Sequence, residues 1–373
     1  MPGSHSSQSF IIPGSKVCFE TLQLNENSLA KNFLFSLIQL VFPKYRNNET
    51  NNKQLKQMKN NKILAAAVAA VFGASVAQAD IALTDNLTLS GFIDGSYNHN
   101  DSDNNAWDSE NFGIDHVEVD LSFGGEVFSA EVHLDDNSTG DIRLEQAYGV
   151  YNLGNGLSIS GGRMNNTLGF EADEAPDLYQ NSYAYSSLGG RNTLNGAYSD
   201  GARVSYASDA FSISLSGYDK LWAANRPTDD IDFAYEAQLA FTGVENLVVA
   251  VGYGEDDNSM GNATLAEAFN VWAQYEQGQF KVAAEYSDVE DGNMAKGDAW
   301  LILGNYAFSE KGSITLRYSE LDWDASSVAD EEKFTVSPGY AITDNLWGLL
   351  EYSIGEIGGV DYDYFAVETT FTF

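Results

Sequence analysis

From Asn86 to the C-terminus the chain alternates apolar and polar residues with period two, in short segments broken by turns. Successive side chains of a strand point to opposite faces, so this pattern predicts strands with one apolar and one polar face. Sixteen segments follow it: 86–98, 112–124, 127–134, 142–151, 156–163, 201–207, 210–218, 231–241, 247–254, 267–276, 279–287, 297–308, 312–319, 331–341, 345–354 and 361–373. Most approach the length of about 9–11 residues that a tilted strand needs to cross a bilayer. The links alternate in length. Tight turns such as Gly124-Gly125, Gly154-Asn155 and Gln277-Gly278 are interleaved with longer links at 99–111, 135–141, 164–200, 219–230, 255–266, 288–296, 320–330 and 355–360. A barrel that spans a membrane has one rim of tight turns and one of larger loops, whereas a sandwich has no reason to sort its loops. The predicted fold is all-β, a transmembrane antiparallel up-and-down β-barrel of about 16 strands, a size that leaves an aqueous channel.

One face of these strands is apolar, with Val117, Val119, Leu121 and Phe123, then Phe128, Val132 and Leu134, then Phe211, Ile213 and Leu215. It carries almost no Lys or Arg, as a lipid-facing surface requires. Arg163 falls on it by parity, and a bulge after Gly161-Gly162 is expected to turn it away. The opposite face offers Asp94, Glu118, Asp120, Glu131, Glu145, Asp232, Glu236, Glu285, Glu351 and Glu368 against Arg143, Arg203, Lys281 and Arg317. Aromatic residues near strand ends, among them Tyr97, Phe112, Tyr148, Tyr218 and Tyr352, suit the girdles at a membrane interface.

Residues 164–200 form the longest interval without alternation. Counting strands from the N-terminus makes this the third loop on the long-loop rim. It carries Glu171, Asp173, Glu174 and Asp177, then a Tyr/Ser-rich run with Tyr179, Tyr183 and Tyr185. Aromatic residues favour packing over disorder. The loop is therefore expected to fold inward and narrow the lumen, with its acids facing Arg143, Arg203 and Arg317 and with Glu236 and Glu285 on the wall.

Upstream, Met58 opens a secretory signal: Lys59 and Lys62, an Ala-rich apolar core at 63–76, and the small-residue site Ala77-Gln78-Ala79. Residues 1–57 read as an upstream-start or non-native extension, 58–79 as the signal peptide, and 80–373 as the barrel. The only cysteine, Cys18, precedes the mature part. From Asp80 onward there are 11 basic and 51 acidic residues, a net charge of −40. Such a chain will not bind nucleic acid through its phosphates.

The last strand, ending Phe365, Val367, Thr369, Phe371, Phe373, resembles the assembly signal of bacterial outer-membrane porins. More narrowly, residues 142–206 resemble the OmpL-like β-barrel porin family. The matching pieces are Leu144-Glu145-Gln146-Ala147-Tyr148, Gly161-Gly162-Arg163, Leu168-Gly169-Phe170-Glu171-Ala172, Pro176-Asp177, Asn181-Ser182-Tyr183-Ala184-Tyr185-Ser186 and Gly201-Ala202-Arg203-Val204. The resemblance implies a Gram-negative outer-membrane location and passive diffusion of ions and small hydrophilic solutes. It also implies contact with outer-membrane lipid and lipopolysaccharide and recognition of Phe373 by the assembly machinery, and it leaves both a monomer and a homotrimer open. The acid excess adds an expected preference for cations. Two alternatives stand beside this reading. One is a sugar-specific porin using Trp107, Trp222, Trp300 and Trp323 as a stacking path. The other is a plugged structural or adhesive barrel.

No enzymatic activity is expected, because His99, His116 and His133 belong to no recognisable triad. Asp101-x-Asp103-x-Asn105 lacks the Gly and Glu of an EF-hand. No metal or other cofactor site is expected, and the acidic runs Asp135-Asp136 and Glu255-Asp256-Asp257 read as solvated charge. Mass mapping of the protein from outer membranes should give Asp80 as the mature N-terminus. Retention of residues before Met58 would refute that processing.

Overall fold

A strand edge left open at bilayer depth would expose unpaired N–H and C=O groups, and this chain closes its edges on each other. The computed structural model describes residues 81–105, 107–136, 140–185, 194, 197–222, 233–257, 265–324 and 329–373. The expected extension, signal peptide and cleavage site lie outside them. The strands are β1 (Ile81–Thr84), β2 (Leu87–Ser102), β3 (Ser109–Gly124), β4 (Phe128–Asp136), β5 (Arg143–Gly154), β6 (Leu157–Asn165), β7 (Tyr198–Ala207), β8 (Phe211–Tyr218), β9 (Ala234–Val244) and β10 (Leu247–Glu255). They continue with β11 (Leu265–Gln277), β12 (Phe280–Asp291), β13 (Lys296–Ala307), β14 (Gly312–Trp323), β15 (Glu331–Ala341), β16 (Leu346–Ile357) and β17 (Val360–Thr372). From β2 to β17 each strand pairs antiparallel with the next, and β17 returns to β2 with Tyr362 opposite Ser102 and Thr372 opposite Phe92. The result is a closed 16-stranded barrel with β1 as one extra strand. β1 pairs the part of β2 that lies past the end of β17, and Phe373 exchanges two backbone hydrogen bonds of 3.0 Å with Gly91 at that junction.

The faces follow the predicted alternation. Leu215 is 56% exposed on the outside while Ser214 is 5% exposed on the inside. Val119, Leu121, Phe123, Leu239, Val282, Leu316 and Val367 belong to the same exposed apolar surface. Among the expected strand residues, Ile231 and Asp232 lie outside the described part.

Four expectations need correction. Arg163 is not turned by a bulge. Its register with β7 is unbroken, and its guanidinium bonds the carboxylate of Asp200 directly across the pair, at 2.9 and 3.1 Å. Tyr148 does not join a girdle. The β4–β5 register shifts at Leu134, which leaves Glu145 as an extra residue on β5. An inserted residue reverses the parity beyond it, so Gln146 and Tyr148 turn inward. Tyr148 there donates to Glu131 at 2.5 Å. Tyr218 also points inward, on the face of Ser214 and Ser216, and is almost wholly buried. Finally, several loops expected to be long are short. β16 and β17 meet at Gly358-Gly359, both at positive φ (58° and 81°), the geometry that a two-residue hairpin turn matched to strand twist demands. Past the bilayer a strand needs no apolar face, so pairing continues through polar residues where the alternation of apolar groups has stopped.

Leu215→Arg should impair insertion by about 2–4 kcal/mol, the cost of a midplane guanidinium facing lipid, while Ser214→Arg assembles. Folding into vesicles, read by heat-modifiable gel mobility, checks this. Equal tolerance of both would show the facing to be wrong.

Candidate functional site

A backbone that enters a barrel must find hydrogen-bond partners on its wall. The third long loop enters the barrel and does so. The Thr167 N–H donates to Glu236 at 2.9 Å, Gly169 to the Asn270 side chain at 3.3 Å and Phe170 to Glu285 at 2.7 Å. Further along, the Ser182 N–H donates to Glu351 at 2.9 Å, and Ser319 donates to the Ala184 carbonyl at 2.7 Å. Lys281 donates to Tyr179 at 2.6 Å. The loop thus contacts β9, β11, β12, β14 and β16. Its apolar residues Leu168, Phe170, Ala184 and Tyr185 pack with Trp272, Leu301, Leu303 and Leu321 in one buried cluster. Small wall residues make the room: Ala240, Ala250, Ala268, Ala283 and Ala299 belong to the cluster, and a Cβ at Gly252 would run into Leu168.

The centre of this attachment is Arg317, which is 1% exposed. It pairs with Glu171 of the loop and donates to the Ser182 carbonyl at 2.8 Å. Glu171 in turn accepts the Ala184 N–H at 3.0 Å. Lys333 reaches the same segment, bonding Ser182 Oγ at 3.1 Å and the Tyr183 carbonyl. The sequence reading missed Lys333. The parity of β15, with Phe334 outside, was the signal that could have placed it on the inner face.

The nine expected site residues divide into two groups. Glu171, Arg317, Glu236 and Glu285 hold the loop to the wall. Arg203 joins them from β7, donating to Tyr218 at 2.5 Å and lying 3.5 Å from Glu236. The expected facing of charges across a gap is therefore, at Arg317 and Arg203, direct contact. The second group lies toward β3–β5. Arg143 is bonded to Asp135 at 2.6 Å. Asp173 accepts from Tyr198 at 2.8 Å. Asp173, Glu174 and Asp177 line a cavity of about 330 Å³ together with Gln146, Tyr148 and Arg203. Pro176 lies within a single 3₁₀ turn, Ala175–Asp177, which fixes the backbone between Glu174 and Asp177. Burial lifts the Asp177 carboxyl to about 6 and lifts Glu174 well above the ordinary carboxylate range.

The tryptophans do not form one track. Trp300 lies outside against Tyr286, with ring centroids 4.5 Å apart, and Trp107 is exposed at the rim. Trp222 and Trp323 pack in the apolar cluster.

A closed 16-stranded barrel with an inward loop matches known proteins. The Gram-negative porin family matches residues 65–352. This chain belongs to that family. Among solved structures, a loop-deletion mutant of OmpT of Vibrio cholerae is 18% identical with a TM-score of 0.56, covering 77% of this chain and 99% of that one. OmpF of Salmonella typhi in complex with daunomycin is 15% identical with a TM-score of 0.58, covering 79% and 100%. An anion-selective porin from Comamonas acidovorans is 12% identical with a TM-score of 0.57, covering 77% and 99%. A search of curated proteins gave no match. The family and fold place this porin in the outer membrane of a Gram-negative bacterium, where it forms a channel.

One expectation is corrected by these comparisons. The sequence reading excluded an enzyme. The likeness to OmpT of Vibrio cholerae, at 16–18% identity, carries fold and not chemistry, so the absence of enzymatic activity is not established.

In this porin, Arg317→Met should leave Glu171 buried without its guanidinium partner. The expected loss of stability is about 3 kcal/mol, the low end for breaking a buried pair. Adding Glu171→Gln removes the stranded charge and should restore part of it. Thermal unfolding in detergent checks both, and an unchanged midpoint in Arg317→Met would show that the pair does not fasten the loop.

Proposed function

We propose that the channel prefers cations and passes ions and small hydrophilic solutes by passive diffusion, past a constriction set by the inward loop. The observation that supports this reading is the charge imbalance inside the barrel. Among the described residues, the buried ionisable acids and bases are fourteen acids, including Asp94, Glu118, Asp120, Glu145 and Glu368, and two bases, Arg317 and Lys333. The less buried bases are already held, Arg143 by Asp135 and Lys281 by Glu276 at 3.2 Å. Linings rich in carboxylate favour cations. The fold does not decide the sign, because its neighbours include an anion-selective porin. A homotrimer belongs to the same reading, supported by a trimer form of OmpT of Vibrio cholerae at 15% identity and a TM-score of 0.53.

Planar-bilayer reversal potentials under a salt gradient should show cation preference. It should grow as salt falls, since the Debye length rises from about 10 Å at 0.1 M to about 30 Å at 0.01 M. It should shrink as pH falls from 7 to 5, because a carboxyl lifted to about 6, as Asp177 is, loses its charge in that window. Asp177→Asn should flatten the pH step and leave conductance within about twofold. Anion preference would overturn the reading, and absence of conductance would favour a plugged barrel. Light scattering of the detergent complex at one barrel mass would exclude the trimer.

A further inference from the structure

We propose that the inner wall carries a site for one divalent transition-metal ion, held by Glu118 of β3, His133 of β4, Glu145 of β5 and Glu174 of the inward loop. Each offers one ligand atom, and these atoms lie within 4.8 Å of one another. Ligands about 2.1 Å from a tetrahedral ion stand about 3.4 Å apart, so a short contraction closes the set. Its composition, one imidazole nitrogen and three carboxylate oxygens, suits zinc, manganese or iron(II) better than calcium or magnesium, which take oxygen alone.

The register builds this group. Glu118 stands opposite Asp135 and Asp120 opposite His133, so Glu118 and His133 are diagonal neighbours on the inner face. The extra residue of the β5 bulge is Glu145, and a bulge is a device for re-aiming one side chain. It is 3% exposed and turned inward toward the same group. His133 is oriented from both sides. Its Nδ1 lies 2.8 Å from Glu118 and 3.2 Å from Asp120, while its Nε2 lies 3.5 Å from Glu131. With Nδ1 on the metal, Glu131 takes the place of the carboxylate that steadies the far nitrogen of a ligand histidine.

A second observation points to a cation. Glu118 is wholly buried, and its Oε2 has no hydrogen-bond donor. The neighbouring His116 Nε2 stands 3.8 Å away, beyond hydrogen-bond reach. A buried carboxylate oxygen without a donor is costly, and a metal ion removes that cost. Charge argues the same way. Glu118, Asp120, Glu131, Glu145 and Glu174 surround His133, and the nearby Arg143 bonds Asp135 at 2.6 Å and lies 3.9 Å from Glu145. Because Glu174 comes from the loop, the ion would fasten the loop to β3–β5, on the side away from Arg317.

The test is zinc calorimetry on the full refolded barrel in detergent, stripped with chelator and titrated in excess Ca²⁺ to occupy weak acidic sites. One zinc per chain is expected. His133→Ala and Glu118→Gln should each weaken it at least tenfold. Glu174→Gln, which alters only the loop, should weaken it severalfold without touching the wall. His99→Ala, at the exposed rim, should change nothing. Heat-modifiable mobility confirms that each variant is folded, and Glu174→Gln keeps the test open if a wall variant is not. Failure of zinc to bind, or binding equal in wild type and Glu174→Gln, overturns the site. The titration measures no ion flow, so its outcome is independent of the channel's preference.

Discussion

Hydrocarbon offers no hydrogen-bond partner, so every peptide group at bilayer depth must be paired within the protein. Closure of β17 onto β2 meets that demand, and much of the remaining structure follows from it. A closed sheet has an inside and an outside, and period two assigns each residue to one of them. Leu215 faces out and Ser214 faces in because a strand has no third direction. The seam needs more care than the other pairs, since β17 ends before β2 does. Phe373 bonds Gly91 twice, and β1 covers the stretch beyond. A Cβ at Gly91 would collide with the Phe373 ring and the Glu118 carbonyl, so the close approach at the seam rests on a residue without a side chain.

The same demand explains part of the acidic wall. The loop that enters the barrel brings unpaired N–H groups with it, and Glu236, Glu285 and Glu351 accept them. Hydrogen bonds to charged acceptors contribute about 1.5–3 kcal/mol each, more than neutral ones. These carboxylates are therefore structural in the first instance, and Arg203 stands 3.5 Å from one of them, Glu236. On β5 the acceptor is neutral, the Gln146 side chain taking the Asn165 N–H at 3.0 Å. Glu118, Asp120 and Glu131 gather instead around His133. One side of the lumen fastens the loop through its backbone, and the other gathers carboxylates around His133 and Arg143.

How much of this was legible in the sequence depended on the range of the interaction. Alternation is local, so the strands and their faces could be read directly, as Leu215 and Ser214 illustrate. The inward path of the loop was legible from its length and its tyrosines. A bulge, by contrast, is a property of two strands. Nothing in Leu144-Glu145-Gln146 announces that Glu145 is the extra residue, and Tyr148 was assigned to the wrong face for that reason. Glu171 and Arg317 are far apart in the chain, so their type could be read but not their contact. The histidines looked solitary for the same cause. His133 acquires its carboxylates through the β3–β4 register and through a loop that has to cross the lumen first.

The division of the lumen gives the loop two different kinds of attachment. On the β9–β16 side, apolar packing and backbone bonds hold it, and neither depends on salt. On the β3–β5 side, Glu174 faces other carboxylates, and close like charges repel. A divalent ion would reverse the sign of the contact, joining Glu174 to Glu118 and Glu145 and cancelling two negative charges there. In the proposed reading the same few carboxylates bear on both the path of the loop and the ion preference, so binding of the ion would alter the two together.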